Sequence, residues 1–233
     1  MELSLVLPCF NEEANIRGTT QKSLAWIARE GLDAEIILVD DGSSDRTGTI
    51  ADELAAGSPR VVALHHEDNR GYGSAIRTGV DAARGDRIVW MDSDGQFDPS
   101  DAGQVAALLA GVPFAAAVRR KRADPWRRVL YARLYGAFIG LVLGMKIDDL
   151  NCGMRALRRE IWPRVRPECG TGALINAEVF LRLRKNGIPW KQIQIPHYPR
   201  TAGTQTGGSL GVVFRMLRDL WRLKRKIQSG NAE

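Results

Sequence analysis

Asp92-Ser93-Asp94-Gly95-Gln96 follows the apolar run Arg87–Met91 and sets two carboxylates one residue apart at the end of an expected strand. Two such carboxylates can both turn toward a hard divalent cation, whose preferred ligands are carboxylate oxygen, water and substrate phosphate. Mg2+ or Mn2+ held there would neutralise the charge that builds on a departing diphosphate. Gln96, two residues on, offers an amide oxygen. The bland alternative is a polar turn with a helix cap, because D-x-D is a common tripeptide. A second acidic stretch, Asp40-Asp41-Gly42-Ser43, closes the run Ala34–Val39. A carboxylate at that place can accept from a base or a ribose hydroxyl, and Gly42 permits close backbone approach. An ordinary βα turn is the alternative.

The elements that must position these groups alternate through the first half of the chain. Leu3–Leu7, Ala34–Val39, Arg60–Leu64 and Arg87–Met91 read as strands, while 12–30, 46–56 and Tyr72–Ala83 read as helices, the second capped from Ser44 or Asp45. This alternation predicts βαβ units and a mostly parallel sheet, with ligands beyond the carboxyl ends of the strands. The motifs after Leu7, Val39 and Met91 all stand at such ends. In the second half, Ala115–Val118 and Ile193–Ile195 read as strands. Trp126–Gly144, Ala173–Asn186 and Val212–Gln228 read as helices, and Thr201–Ser209 as a Gly/Thr-rich loop.

The 233 residues suit an α/β fold kept as one unit, with 44% hydrophobic residues for a core. Lys and Arg outnumber Asp and Glu by 33 to 27. The excess is concentrated: Arg119, Arg120, Lys121, Arg122, Arg127, Arg128 and Arg133 share one window with a single acid, Asp124. Three cysteines without C-x-x-C spacing argue against a disulfide framework or a zinc site and suit a reducing cytosol. No signal peptide is expected. The apolar stretch Tyr131–Met145 falls short of the roughly 20 residues a spanning helix needs. His65, His66 and His197 show no ligand-like spacing; His197 reads as structural support for Arg200. The charge balance alone also admits a nucleic-acid partner, but no basic aromatic sheet or recognition helix accompanies it.

Taken together and in order, Pro8-Cys9-Phe10-Asn11-Glu12, Val39-Asp40-Asp41-Gly42-Ser43 and Asp92-Ser93-Asp94-Gly95-Gln96 resemble the inverting GT-A glycosyltransferases of family two. Asp149-Leu150-Asn151-Cys152-Gly153-Met154-Arg155 resembles the D-x-x-S-G-F-R stretch of the polyprenyl-phosphate (dolichyl-phosphate) sugar synthases, and Arg200 with Gly203 resembles their R-x-x-G loop. The likeness spans residues 3–210. It implies a Rossmann-like nucleotide-sugar-binding fold over 1–210, with 211–233 an amphipathic basic helix docked on that domain or on a membrane surface. Pro8, Phe10, Glu12, Val39 and Asp41 would line the nucleoside pocket. Asp92, Ser93, Asp94 and Gln96 would hold the nucleotide sugar, with Asp92, Asp94 and Gln96 around the metal. Arg119 would reach the phosphates, Arg127 and Tyr131 the acceptor phosphate, and Arg200 would close over the donor diphosphate. Glu178 would sit below the sugar. Two positions depart from the family: Thr206 stands where a Lys is common, and Tyr131 where a Ser is common.

Basic residues beside an apolar helix suit anionic headgroups and a lipid phosphate at a membrane surface, although a solvated charged loop is the bland reading. Gly136, Gly140 and Gly144 form a smooth stripe for packing within the subunit or for helix pairing at the membrane or in a dimer. The expected activity is therefore transfer from a nucleotide diphosphate sugar to a polyprenyl phosphate with inversion, peripheral on the cytoplasmic face of the membrane and without nucleic acid. A phosphate acceptor is largely anionic at neutral pH, its second pKa lying near ~6, and needs no strong base. A sugar-hydroxyl acceptor would need one, and Asp149 is the candidate. A nucleotide-sugar-binding protein without turnover is the non-enzyme alternative.

Overall fold

The computed structural model describes residues 1–120, 136, 140, 144, 147–168, 172 and 174–200. Seven strands form one sheet in the order β3-β2-β1-β4-β6-β5-β7. They are β1 (Leu3–Cys9), β2 (Ala34–Asp40), β3 (Val61–His65), β4 (Arg87–Trp90), β5 (Phe114–Arg120), β6 (Arg155–Arg158) and β7 (Trp190–Pro196). All neighbouring pairs are parallel except the two made by β6, which runs against β4 and β5. The helices are α1 (Ile16–Arg29), α2 (Thr47–Gly57), α3 (Tyr72–Ala82), α4 (Pro99–Ala107), α5 (Trp162–Val165) and α6 (Leu174–Lys185).

The central strands are apolar on both faces because helices cover both. Residues Leu3, Leu5, Leu7 and Cys9 of β1 point into a core shared with Ile16, Trp26 and Ile27 of α1, Ile50 and Leu54 of α2, and Val105 of α4. Val6, one residue out of phase, belongs to the opposite core with Ile76 and Val80 of α3, Val165 of α5 and Phe180 of α6. That period of two decides which core each side chain enters. Each fully buried Leu or Val contributes about 1.5–3 kcal/mol relative to exposure. Behind β6, the rings of Trp90, Phe114, Phe180 and Trp190 follow one another at 6.3, 5.6 and 5.7 Å between centroids.

The first-half expectations hold to within a few residues, α1 starting four residues later than read. Three elements were not foreseen: α4, β6 and the single-turn α5 (Trp162–Val165). Asp98 caps α4 by accepting from the Ser100 N–H, and Pro99 sits at its first turn, a start signal visible in the sequence. The antiparallel β6 begins inside the Asp149–Arg155 motif. Asp45, not Ser44, serves the start of α2, accepting the Thr47 N–H at 2.9 Å. Gly136 and Gly140 are helical, and Gly144 follows with φ 63°, the left-handed conformation that commonly closes a helix. The remainder of Trp126–Gly144, with Arg127 and Tyr131, lies outside the described residues. So do the loop Thr201–Ser209, Thr206 and the helix Val212–Gln228. Among the described residues no helix is long and apolar enough to cross a membrane.

Candidate active site

The strand order reverses between β1 and β4, and the loops leaving β1, β2 and β4 meet beyond their carboxyl ends, where open α/β sheets bind ligands. Loop-to-loop hydrogen bonds fix this meeting. Asn11, with φ 54°, donates its N–H to Ser43 Oγ at 2.9 Å and accepts the Ser44 N–H at its side-chain oxygen at 2.9 Å. Thr47 Oγ1 accepts the Glu12 N–H at 2.7 Å. Ser93 donates to the Pro8 carbonyl at 2.8 Å, tying the loop after β4 to the end of β1. Gly42 has φ +69°, and a Cβ there would lie 2.5 Å from the Asp68 carbonyl carbon. The close approach expected at Gly42 is thus made by the protein's own chain.

Asp92 and Asp94 stand at this junction. Asp92 accepts from the Tyr72 hydroxyl at 2.8 Å. Burial raises its carboxyl above the usual range, against the pull of the Tyr72 bond and the Arg119 and Arg155 charges. Burial and then the Asp92 charge push Asp94 up to about 6. Two like charges in a low-dielectric place are what a cation relieves. Arg200 approaches that role: one guanidinium nitrogen lies 3.5 Å from Asp94 Oδ2 and the other hydrogen-bonds Glu12. Burial raises the Glu12 carboxyl, against its hydrogen bond from Asn15 and the Arg200 charge. Among the described residues no group of three His, Cys, Asp or Glu side chains could hold a metal. Two carboxylates and an amide oxygen are hard donors and fit Mg2+ or Mn2+ provided diphosphate and water complete the shell.

Gln96 does more than offer an oxygen. Its side-chain N–H donates to the Tyr198 carbonyl at 3.1 Å, and its own carbonyl accepts the Tyr198 N–H at 3.0 Å. The Phe97 and His197 rings meet edge to face at 5.4 Å. Together these contacts bring Arg200, from after β7, to the acidic pair.

The expected nucleoside-pocket residues separate. Phe10 is exposed, whereas Val39 is 0% exposed and packs in the core of α3, so its side chain is structural. Asp41 is also buried, and its carboxylate is engaged by three protein donors: His66 Nδ1 at 2.6 Å and the N–H groups of Arg70 at 3.0 Å and Gly71 at 2.8 Å. Three of its roughly four acceptor positions are therefore used inside the chain.

Arg119 and Asp149 form one unit. Asp149 accepts from the Arg119 backbone N–H at 3.0 Å and from two guanidinium nitrogens at 2.7 and 2.6 Å. Asp149 itself has φ 47°. Glu178 is fully buried on α6 and accepts from the Glu168 N–H at 2.7 Å and from Arg182 at 3.1 Å; its charge is paired with Arg182 one turn along the same helix. Arg155 is 1% exposed. It donates to the Asn176 side chain and the Leu150 carbonyl and lies 5.2 Å from the centroid of Phe180. Tyr72 and the supporting role of Arg155 were not legible as site features. The signal for Tyr72 was Asn69-Arg70-Gly71-Tyr72-Gly73, a glycine-rich turn at a further strand end.

An open depression lined by Glu2, Asp86, Arg87, Arg158 and Arg159 lies at the opposite, amino end of β1 and β4. Its arginines pair with Glu2, Glu160 and Asp86 at 3.5, 3.6 and 3.4 Å, and it takes no part in this arrangement.

Comparison with known proteins agrees with the geometry. The chain is 31% identical over 222 residues to an undecaprenyl-phosphate 4-deoxy-4-formamido-L-arabinose transferase of Edwardsiella ictaluri, covering 92% of this chain and 65% of that protein. It is 28% identical to the glycosyltransferase AglD of Haloferax volcanii, covering 96% of this chain and 38% of that one. The chain thus spans under two thirds of the length of these relatives. Among solved structures, mannosyl-3-phosphoglycerate synthase from Rubrobacter xylanophilus superposes with a TM-score of 0.72 at 21% identity, covering 100% of this chain and 76% of that one. Glucosyl-3-phosphoglycerate synthase from Mycobacterium tuberculosis, in a complex with Mn2+, UDP-glucose and phosphoglyceric acid, superposes with a TM-score of 0.68 at 22% identity, covering 94% and 79%. These likenesses show the fold. Residues 4–183 match the family described as Glycosyl transferase family 2, and the chain belongs to that family of glycosyltransferases.

Proposed function

We propose that this protein moves a sugar from a nucleoside diphosphate sugar to the phosphate of a polyprenyl-phosphate lipid with inversion, using Mg2+ or Mn2+. The observation that carries the choice of acceptor is the Arg119–Asp149 pair. Asp149 is the residue that would have to take a proton from a sugar hydroxyl, and its oxygens are committed to three N–H groups of Arg119. Proton abstraction there would cost that ion pair. A phosphate oxygen needs no base, and the acceptor named for the Edwardsiella relative, undecaprenyl phosphate, is of this class.

In this reading the acceptor phosphate oxygen attacks the anomeric carbon from the face opposite the leaving group. The new C–O bond forms as the bond to the diphosphate oxygen breaks, and the nucleoside diphosphate leaves with its electron pair. Asp92, Asp94 and the Gln96 amide oxygen would hold the divalent ion, which supplies charge neutralisation on that leaving diphosphate. Arg200 sits beside Asp94 and Glu12 and adds a second cation for the phosphates. Gln96 and the Phe97–His197 contact keep it there.

The remaining expectations complete the proposal. Residues 1–210 act as the catalytic domain and 211–233 as a basic amphipathic helix, docked on it or at the inner face of the membrane. Arg127 and Tyr131 meet the acceptor phosphate, and a homodimer through the glycine stripe is compatible with both. The test is incubation of the purified chain with membranes and a panel of labelled nucleotide sugars, followed by organic extraction. Label should enter the lipid phase, in an acid-labile phosphodiester. Label confined to water-soluble glycans overturns the phosphate acceptor, and release of free sugar alone overturns transfer.

A further inference from the structure

The two acidic motifs are joined by a path of hydrogen bonds through residues that belong to neither. His66 bridges Asp41 and Thr78, at 2.6 Å to Asp41 Oδ1 and 2.9 Å to Thr78 Oγ1. Asp41 in turn accepts the backbone N–H groups of Arg70 and Gly71. Those two bonds fix the turn before α3, where Gly71 takes φ 90° and ψ 156°, a conformation that only glycine adopts readily. The next residue is Tyr72, whose hydroxyl donates to Asp92 Oδ1 at 2.8 Å.

The other side of Asp92 is equally confined. A Cβ on Gly153 would lie 1.9 Å from Asp92 Oδ2, so the loop before β6 rests directly against the carboxylate because residue 153 has no side chain. Gly153 is held in turn by its neighbours: Cys152 donates its N–H to the Asp149 carbonyl at 3.0 Å, and Arg155 anchors the start of β6 on Asn176 and Leu150.

We propose that Tyr72 is a positioning residue of the transferase, locking the Asp92 carboxylate in the orientation that serves the metal and the donor diphosphate, with Asp41 presenting Tyr72 for that purpose. The proposal rests on the reading of Asp92 and Asp94 as the cation and diphosphate site. It gives Asp41 a task distinct from nucleoside contact: its carboxylate sets a turn, the turn sets a phenol, and the phenol sets the carboxylate at the neighbouring strand end. Groups that orient a metal-binding side chain typically alter metal affinity by about 10–100-fold when removed.

The test measures Mn2+ affinity by electron paramagnetic resonance, with Mn2+ alone and with Mn2+ plus pyrophosphate. The proteins compared are the parent, Tyr72→Phe, Asp92→Asn, Asp94→Asn and the Tyr72→Phe/Asp92→Asn pair. Tyr72→Phe removes only the hydroxyl and should weaken Mn2+ binding by about tenfold or more. On the Asp92→Asn background the same change should have no further effect on the residual affinity, which a general loss of packing would not reproduce. Gly153→Ala, which drives a Cβ onto the other carboxylate oxygen, should weaken Mn2+ binding independently of Tyr72. Affinity within twofold of the parent in Tyr72→Phe, or an equal loss with and without Asp92, overturns the assignment. If Asp92→Asn and Asp94→Asn both bind Mn2+ as the parent does, the cation-site reading itself has failed.

Discussion

Arg200 and Asp94 face one another at 3.5 Å, so the side chain expected to close over the donor diphosphate already stands beside the carboxylate expected to hold the metal. A divalent ion arriving at Asp94 meets a guanidinium that also hydrogen-bonds Glu12. The two cations repel unless a diphosphate lies between them. Arg200→Ala should therefore tighten the binding of Mn2+ alone by a few-fold while weakening nucleotide-sugar binding by about tenfold or more, the scale of a lost charge-assisted hydrogen bond. Mn2+ resonance titration and calorimetry with the nucleotide sugar measure the two separately. Parallel weakening of both would show that Arg200 supports the metal rather than opposing it.

Asp94→Ala should abolish metal-dependent donor binding. Its carboxyl is raised by burial and by Asp92, and removing it leaves one carboxylate in a site whose remaining ligands must come from Gln96, phosphate and water. Calorimetry of nucleotide-sugar binding with and without Mn2+ is the measurement. Full turnover of the parent protein in EDTA would remove the basis for this expectation.

The Arg119–Asp149 pair gives a test by pH. If the nucleophile is a phosphate, the acceptor's second ionisation near ~6 contributes to the acidic limb of the kcat/KM profile, beside Asp94, which is raised to about 6 until a cation binds. Asp149→Asn would then lower the rate by disturbing Arg119 but leave that limb in place. If Asp149 were the general base, the limb would vanish with it and the rate would fall by about 10²–10⁴.

Glu35 gives a prediction about stability. It is 1% exposed and accepts from Ser4 Oγ at 2.7 Å, from the Arg84 N–H at 2.8 Å and from the Arg84 guanidinium at 2.9 and 2.7 Å. Burial alone would raise its carboxyl, but these bonds together hold it below the usual glutamate value. A carboxyl depressed on folding contributes stability above its unfolded pKa and loses it as pH falls through the folded value. Glu35→Gln should cost about 1.5–3 kcal/mol at pH 7, the range for hydrogen bonds to a charged group, and that difference should shrink below about pH 4.3. Urea unfolding of both proteins at pH 7 and pH 3.5 checks this; a difference independent of pH would show that the ionised form is not what is stabilised.

Local pattern determined much of this protein. Apolar runs such as Leu3–Leu7 and Ala34–Val39 are long enough to read as buried strands, and the acidic and glycine residues after them mark where the chain must turn. That pattern alone places Asp41, Asp92 and Asp94 at strand ends. Asp98-Pro99 carries an equally local start signal for α4, followed by Ala102, Val105, Ala106 and Leu109 at helical spacing. Tertiary structure decided what the marked residues touch. Val39 stands in the motif yet faces the core, because the period of two along β2 turns it toward α3. Asp41 looks like a ligand-binding acid from its neighbours in sequence, and the turn at Arg70–Gly71, about thirty residues on, also leans on its carboxylate through two N–H groups. The reversal of β6, which swings Gly153 against Asp92 and buries Arg155 beside Phe180, depends on pairing with both β4 and β5. Hydrogen bonds between distant loops follow from how two crossovers pack on one sheet, and no spacing within a single motif contains that information.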